Sequence, residues 1–201
     1  MNKPPPARAG ANYVLDTRPL LNFVYTDALA VLEELLGKPL YVPAAVHGQF
    51  GRAESALRRR LEQLPEHQRE PFDVQVLTRL QAARGRFRGN PFRIVRLHNA
   101  KRDLAIRLER EPGVDPGESE VLALSLSRGW VAILDDRLAH DFAASQGIET
   151  LGTLDLLVQA VRQGILPLDD GERLLEEMRL RWQRAPRGRL RDYLNGRRSI
   201  W

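Results

Sequence analysis

The run "WVAIL", residues 130–134, closed by the pair Asp135–Asp136, is the tightest constraint in this chain. Five consecutive apolar residues between turn-like flanks read as a strand covered on both faces, the pattern of a parallel sheet sandwiched by helices. Helical patterns stand on either side of it. "ESEVLALSLSRG" precedes it with acids in its first turn, and "RLAHDFAASQG" follows, ended by Gly147. The alternation extends through most of the chain. "YVLD", "PLYVP", "GNPFRIVRL" and "IETLG" read as short strands. Leu20 to Gly37 reads as one helical stretch with Gly37 as its C-cap, and Ala44 to Leu64 as another, broken by Pro65. "NAKRDLAIRLERE" is helical, as is "TLDLLVQAVRQG", capped by Thr153 and closed by Gly164. "LDDGERLLEEMRLRWQ" is a further amphipathic helix. "PFDVQVLTRLQAARG" fits a helix or a strand equally well. Strand and helix in alternation predict an α/β fold with a mostly parallel central sheet and helices on both faces.

Composition removes several chemistries. The chain has 201 residues and no cysteine, so it carries no disulfide framework, thiolate nucleophile or cysteine zinc site. His47, His67, His98 and His140 lack metal-ligand spacing. No GxxxxGK[ST], GxGxxG or HExxH stretch occurs, and "GES" lacks the G-x-S-x-G elbow. A receiver-type domain would carry its paired acids early, whereas here the pair comes late. The first residues hold no apolar signal core, and no apolar run approaches the roughly 20 residues of a membrane span. A cytoplasmic location is the expectation.

The net charge of +5 is unevenly laid out. Residues 79–107 hold 9 basic and 1 acidic group, residues 108–172 hold 4 and 13, and residues 173–201 hold 9 and 3. An acidic block is thus bracketed by two basic ones, nearly all arginine, whose planar fork suits phosphate. Solvated helix faces would give the same layout, so charge alone does not assign a nucleic-acid partner.

Open α/β sheets place their sites beyond the carboxyl ends of the strands. Asp16 ends the first strand, Asp135 and Asp136 end the "WVAIL" strand, and Glu118 stands at a helix start. Two carboxylates about 4 Å apart repel by roughly 4 kcal/mol at an effective dielectric of 20. A cluster of three therefore needs protons or a cation, and oxygen-rich clusters are what magnesium and manganese take. The bland reading is that these acids are helix caps and surface charge.

Taken in order, "VLDTRPLLNF", "LYVPAAVHGQF", "DPGESEVLALSLSRGWVAILDDRLA" and "IETLGTLDLLVQAVRQGIL" resemble the PIN-domain family, which includes the VapC-type toxin ribonucleases. The likeness runs from about Tyr13 to Leu166 and is nearest to PIN-like proteins whose third motif reads "GE-x-E". It implies a three-layer α/β/α fold, with residues 13–168 as the PIN-like domain. A flexible segment 1–12 would precede it, and a C-terminal helix with a basic tail, 169–201, would follow. It further implies a ribonuclease dependent on Mg2+ or Mn2+, with Asp16, Glu118 and Asp136 as the catalytic, metal-holding acids. Asp136 lies 18 residues beyond Glu118, the family's spacing. Asp135 is a further or substitute ligand, and Glu120, Thr17 and Thr153 are supporting residues. Glu120 is two positions along the helix from Glu118, about 200° round it, so only one of the pair faces the site.

One position departs from the family. Gln49 stands where a second acid is expected, and an amide carries no negative charge. The alternative reading is therefore a weak or inactive PIN-like module that binds nucleic acid or a protein. The partners implied are RNA, gripped by Arg86, Arg88, Arg93, Arg96, Arg187 and Arg189, an antitoxin protein, and a second copy of the chain. Tyr193 and Trp201 would stack on bases, or Trp182 and Tyr193 would pack the last helix onto the domain.

Overall fold

The computed structural model describes residues 10–37, 39–87, 89, 92–111, 113–180 and 188–195. The readings placed on residues 1–9, Arg88, Arg187, Trp182 and Trp201 lie outside the described residues.

Five short strands, β1 (Tyr13–Leu15), β2 (Leu40–Pro43), β3 (Phe92–Val95), β4 (Val131–Ile133) and β5 (Thr150–Leu151), form one sheet in the order β3-β2-β1-β4-β5. Every pairing is parallel. All residues of β1 and β4 are buried, as expected of central strands with cover on both faces. Helices flank the sheet in the three-layer α/β/α arrangement. The chain first winds one way from β1 to β2 and β3, then starts again on the other side of β1 with β4. This reversal makes the gap beyond the carboxyl ends of β1 and β4 the topological switch point.

The connections are α1 (Thr17–Tyr25), α2 (Leu29–Leu36), α3 (Ala44–Gln63), α4 (Pro71–Arg86), α5 (Ala100–Leu108), α6 (Pro116–Arg128), α7 (Arg137–Ser145) and α8 (Thr153–Arg162). The ambiguous "PFDVQVLTRLQAARG" is helical, with Pro71 in its first turn and Val76, Leu80 and Ala83 buried on one face. The stretch from Leu20 to Gly37, read as one helix, is two. The Thr26 hydroxyl donates back to the Asn22 carbonyl at 3.0 Å and Asp27 takes a φ of +55°. Threonine and aspartate offer the backbone such local alternatives to a further helical turn. The break lets α1, with Leu20 and Phe23 buried, pack on α3 and α4, while α2, with Leu32 and Leu35 buried, packs on α8. Gly37, at φ +72°, ends α2.

Beyond β5, α8 packs against α9 (Leu168–Arg179), and α10 (Leu190–Leu194) packs on both. Tyr193 of α10 is 6% exposed, so packing accounts for this ring. Among the described residues no helix is long and apolar enough to cross a membrane.

Candidate active site

Asp16 leaves β1 at the switch point and is at once the N-cap of α1. Its backbone N–H donates to the Ile133 carbonyl at 3.0 Å, which fixes it against the end of β4. Its side-chain Oδ2 accepts from the Arg18 N–H at 3.3 Å. Its Oδ1 is buried and has no hydrogen-bond partner among the described residues. Burial, then the neighbouring Glu118 and Asp115, push the Asp16 carboxyl up to about 8. Such a group keeps its proton at neutral pH unless positive charge arrives.

Every other acid at this end of the sheet also meets a helix N-terminus, where free N–H groups and the helix dipole favour negative charge. Asp115 caps α6, its Oδ1 accepting from the Gly117 and Glu118 N–H groups at 2.7 and 2.9 Å. Glu118 completes the capping box by accepting from the Asp115 N–H at 3.0 Å. Glu118 is 2% exposed, and its carboxyl is raised to about 7, first by burial and also by Asp115 and Asp136. Asp136 caps α7 through the Leu138 and Ala139 N–H groups and pairs with Arg18 at 3.2 Å. The caps of the bland reading and the acids of the functional one are thus the same residues.

Asp135 and Asp136 part company at the end of β4. Asp135 turns to the start of α8, where it accepts from the Thr153 N–H at 2.7 Å, the Thr153 hydroxyl at 2.6 Å and Asn22 Nδ2 at 3.0 Å. Burial raises it to about 6, while the Thr153 bonds pull the other way. The N-cap of α8 is Gly152, not Thr153: the Gly152 N–H is taken by Asp155 at 2.8 Å, and this frees the Thr153 hydroxyl for Asp135. Glu120 is remote from Glu118 as the helical pitch requires. It accepts from the Ala45 N–H at 2.9 Å at the start of α3.

Gln49 reaches the site from α3. Its Oε1 accepts from the Thr17 hydroxyl, and its Nε2 lies 3.4 Å from Asp115 Oδ1. Gly117 is the point where these groups meet. A Cβ on Gly117 would stand 2.5 Å from Gln49 Oε1 and 3.1 Å from both Asp115 Oδ1 and Asp16 Oδ1. Among the described residues no three acids or histidines are close enough to hold one ion. Around the position of a Gly117 side chain stand two carboxylate oxygens and one amide oxygen. The all-oxygen character of this group and the orphaned Asp16 Oδ1 suit a hard divalent cation.

Of the arginines expected to grip RNA, Arg86 pairs with Glu33 at 2.9 Å. Arg93 and Arg96 are exposed on the sheet-edge strand β3 and just past its end, and Arg189 is exposed ahead of α10. Since all strands are parallel, Arg96 lies at the same end of the sheet as Asp16. Sequence reasoning missed Asp115, Gly117, Arg18 and Asn22. Asp115 was within reach, because "DPGE" spells an N-cap, a proline at N1 and a glutamate at N3. Arg18 and Asn22 carry no local signal, since their partners lie 118 and 113 residues away.

No curated protein matches this chain. The crystal structure of PAE2754 from Pyrobaculum aerophilum shares its fold, with a TM-score of 0.51 at 14% identity over 76% of this chain and 98% of that one. A family model described as a PIN domain matches residues 88–195, more than half of the chain. With this parallel sheet and the match to the family model over more than half of its length, this chain belongs to the PIN-domain family.

Proposed function

We propose that the protein is a divalent-metal-dependent ribonuclease that cleaves RNA internally by hydrolysis of phosphodiester bonds. The observation that carries this reading is the buried, unpartnered Oδ1 of Asp16 at the switch point of a PIN fold. A carboxylate oxygen sealed from water without a donor costs several kcal/mol or holds a proton, and a cation relieves both conditions. Bound there, Mg2+ or Mn2+ would supply positive charge and lower the pKa of a water enough for attack at neutral pH.

The residues of the chain do the rest. Asp16 is held rigid between β1, β4 and α1. Glu118 and Asp136 add negative charge from the starts of α6 and α7. The guanidinium of Arg18 is half-exposed, so it is free to exchange Asp136 for a substrate phosphate. Arg93 and Arg96 line the sheet edge toward which a polyanion would run. The wider biological reading, a toxin silenced by an antitoxin and acting as a homodimer, rests on resemblance, and co-purification with a partner and sedimentation test it.

The second reading, a binding module without catalysis, is favoured by one observation, the neutral Gln49 in place of an acid. Incubation of mixed RNAs with Mn2+, wild type against Asp16→Asn, separates the two. Cleavage by the wild type alone supports the nuclease. Equal activity in both sinks it, and salt-sensitive binding without cleavage supports the module.

A further inference from the structure

Gln49 raises a question that the proposed nuclease must answer: where does the missing negative charge come from? We infer that Asp115 supplies it, and that a divalent cation binds beside Gly117 between Asp16, Asp115 and the Gln49 amide oxygen. This rests on the metal-dependent reading of the site.

Three independent features meet there. The Oδ1 of Asp16 is buried and has no donor among the described residues. Asp16 Oδ1 and Asp115 Oδ1 lie at equal distances, 3.1 Å, from the point where a Gly117 side chain would begin, so they are within twice that distance of each other. Gln49 is turned with its oxygen to the same point, 2.5 Å away, and that orientation is held from both ends. The Thr17 hydroxyl donates to Oε1, and Nε2 faces Asp115. The carbonyl keeps a second lone pair for a cation. Any side chain at position 117 would fill this space, so the glycine acts as clearance rather than as a turn.

Asp115 is also well placed to carry charge. It is exposed, whereas Asp16 is buried. The start of α6 stabilises its carboxylate without neutralising it. In this arrangement the charge expected on α3 has moved across the cleft to α6. Gln49 has become a neutral ligand and a strut between Thr17 and Asp115.

The test is Mn2+ affinity by calorimetry on the full chain, alongside cleavage. Asp115→Asn removes the charge and keeps the cap, because asparagine caps as well as aspartate. It should weaken Mn2+ binding by about 10–100-fold, the size typical of residues that support a metal site. Gln49→Glu alone should tighten binding, and in the Asp115→Asn background it should restore it. Gly117→Ala, whose Cβ would press on Gln49, should abolish binding at some cost to melting in EDTA. The inference is overturned if Asp115→Asn binds Mn2+ like the wild type while Asp16→Asn does not, even where RNA cleavage stays Asp16-dependent. That result leaves the nuclease standing. A wild type that neither binds Mn2+ nor cleaves RNA overturns both.

Discussion

Glu54 and Asp16 are both carboxylates sealed inside the protein, 0% and 2% exposed, yet they are held in opposite ways. Glu54, in the middle of α3, pairs with Arg58 one turn on and with Arg84 of α4 at 3.1 Å. Both oxygens are matched by charge, and the pair pins two helices together. Asp16 has no cation of its own, one orphaned oxygen, and acids for neighbours. Asp135 is a third solution, half-buried and matched by three neutral donors. A buried acid with its counter-ion built in is scaffold. At Asp16 neither a counter-ion nor a full set of donors offsets burial, and the proposed cation would supply that charge.

That contrast can be broken experimentally. Asp16→Asn should lower metal-dependent cleavage by more than about a hundredfold, the loss of several kcal/mol of charge stabilisation. It should leave the metal-free fold about as stable at neutral pH, since the protonated Asp16 carries no charge to lose and asparagine caps α1 as well as aspartate does. The same imbalance sets a pH dependence. Asp16 moves from 3.8 to about 8 and Glu118 from 4.5 to about 7 on folding, so between those limits the native state holds more protons than the unfolded one. Stability of the metal-free protein should therefore fall as pH rises from about 5 to about 8. A melting series with and without Mn2+ reads this. The slope should flatten in Asp16→Asn and with saturating metal, and an unchanged slope in the variant would assign the titration elsewhere.

Glu54→Gln should behave in the reverse manner. It leaves Arg58 and Arg84 unmatched and should cost about 2–3 kcal/mol in denaturant unfolding, short of a fully buried pair because both arginines reach solvent. Its Mn2+ affinity should not move. Asp135→Asn turns an amide donor toward the Thr153 and Asn22 donors. A loss of about 1–2 kcal/mol is expected, again with Mn2+ affinity unchanged, and weakened metal binding would promote Asp135 from support to ligand. The smallest effect belongs to Arg18→Ala. The guanidinium is half in solvent, so less than about 1 kcal/mol should be lost. A larger loss in the melting curve would place the Arg18–Asp136 pair with the scaffold.

Much of the fold was legible from the chain. Strand and helix patterns, the punctuation by Gly37 and Gly147, and the apolar "WVAIL" run are local features, each set by backbone chemistry or by burial on both faces. The split between α1 and α2 was missed because the apolar spacing continues across it. Only the demands of two packing directions make Thr26 and Asp27 a break. At the site, Asp16, Glu118 and Asp136 could be picked out because strand ends and helix starts have sequence marks. Their competition with capping could not be resolved, because the same carboxylate serves both purposes.

The sequence by itself therefore determined the α/β class, the acids at the strand ends and the neutral residue at position 49, all consequences of side-chain identity and short-range periodicity. Tertiary structure alone decided that Asp135 serves α8 while Asp136 faces Arg18. It alone decided that Asp16 keeps an oxygen without a partner, and that Gly117, Gln49 and Asp115 share one small space. The physical reason is distance along the chain. These contacts join residues 32 to 118 positions apart, and no local rule of backbone or propensity reaches that far.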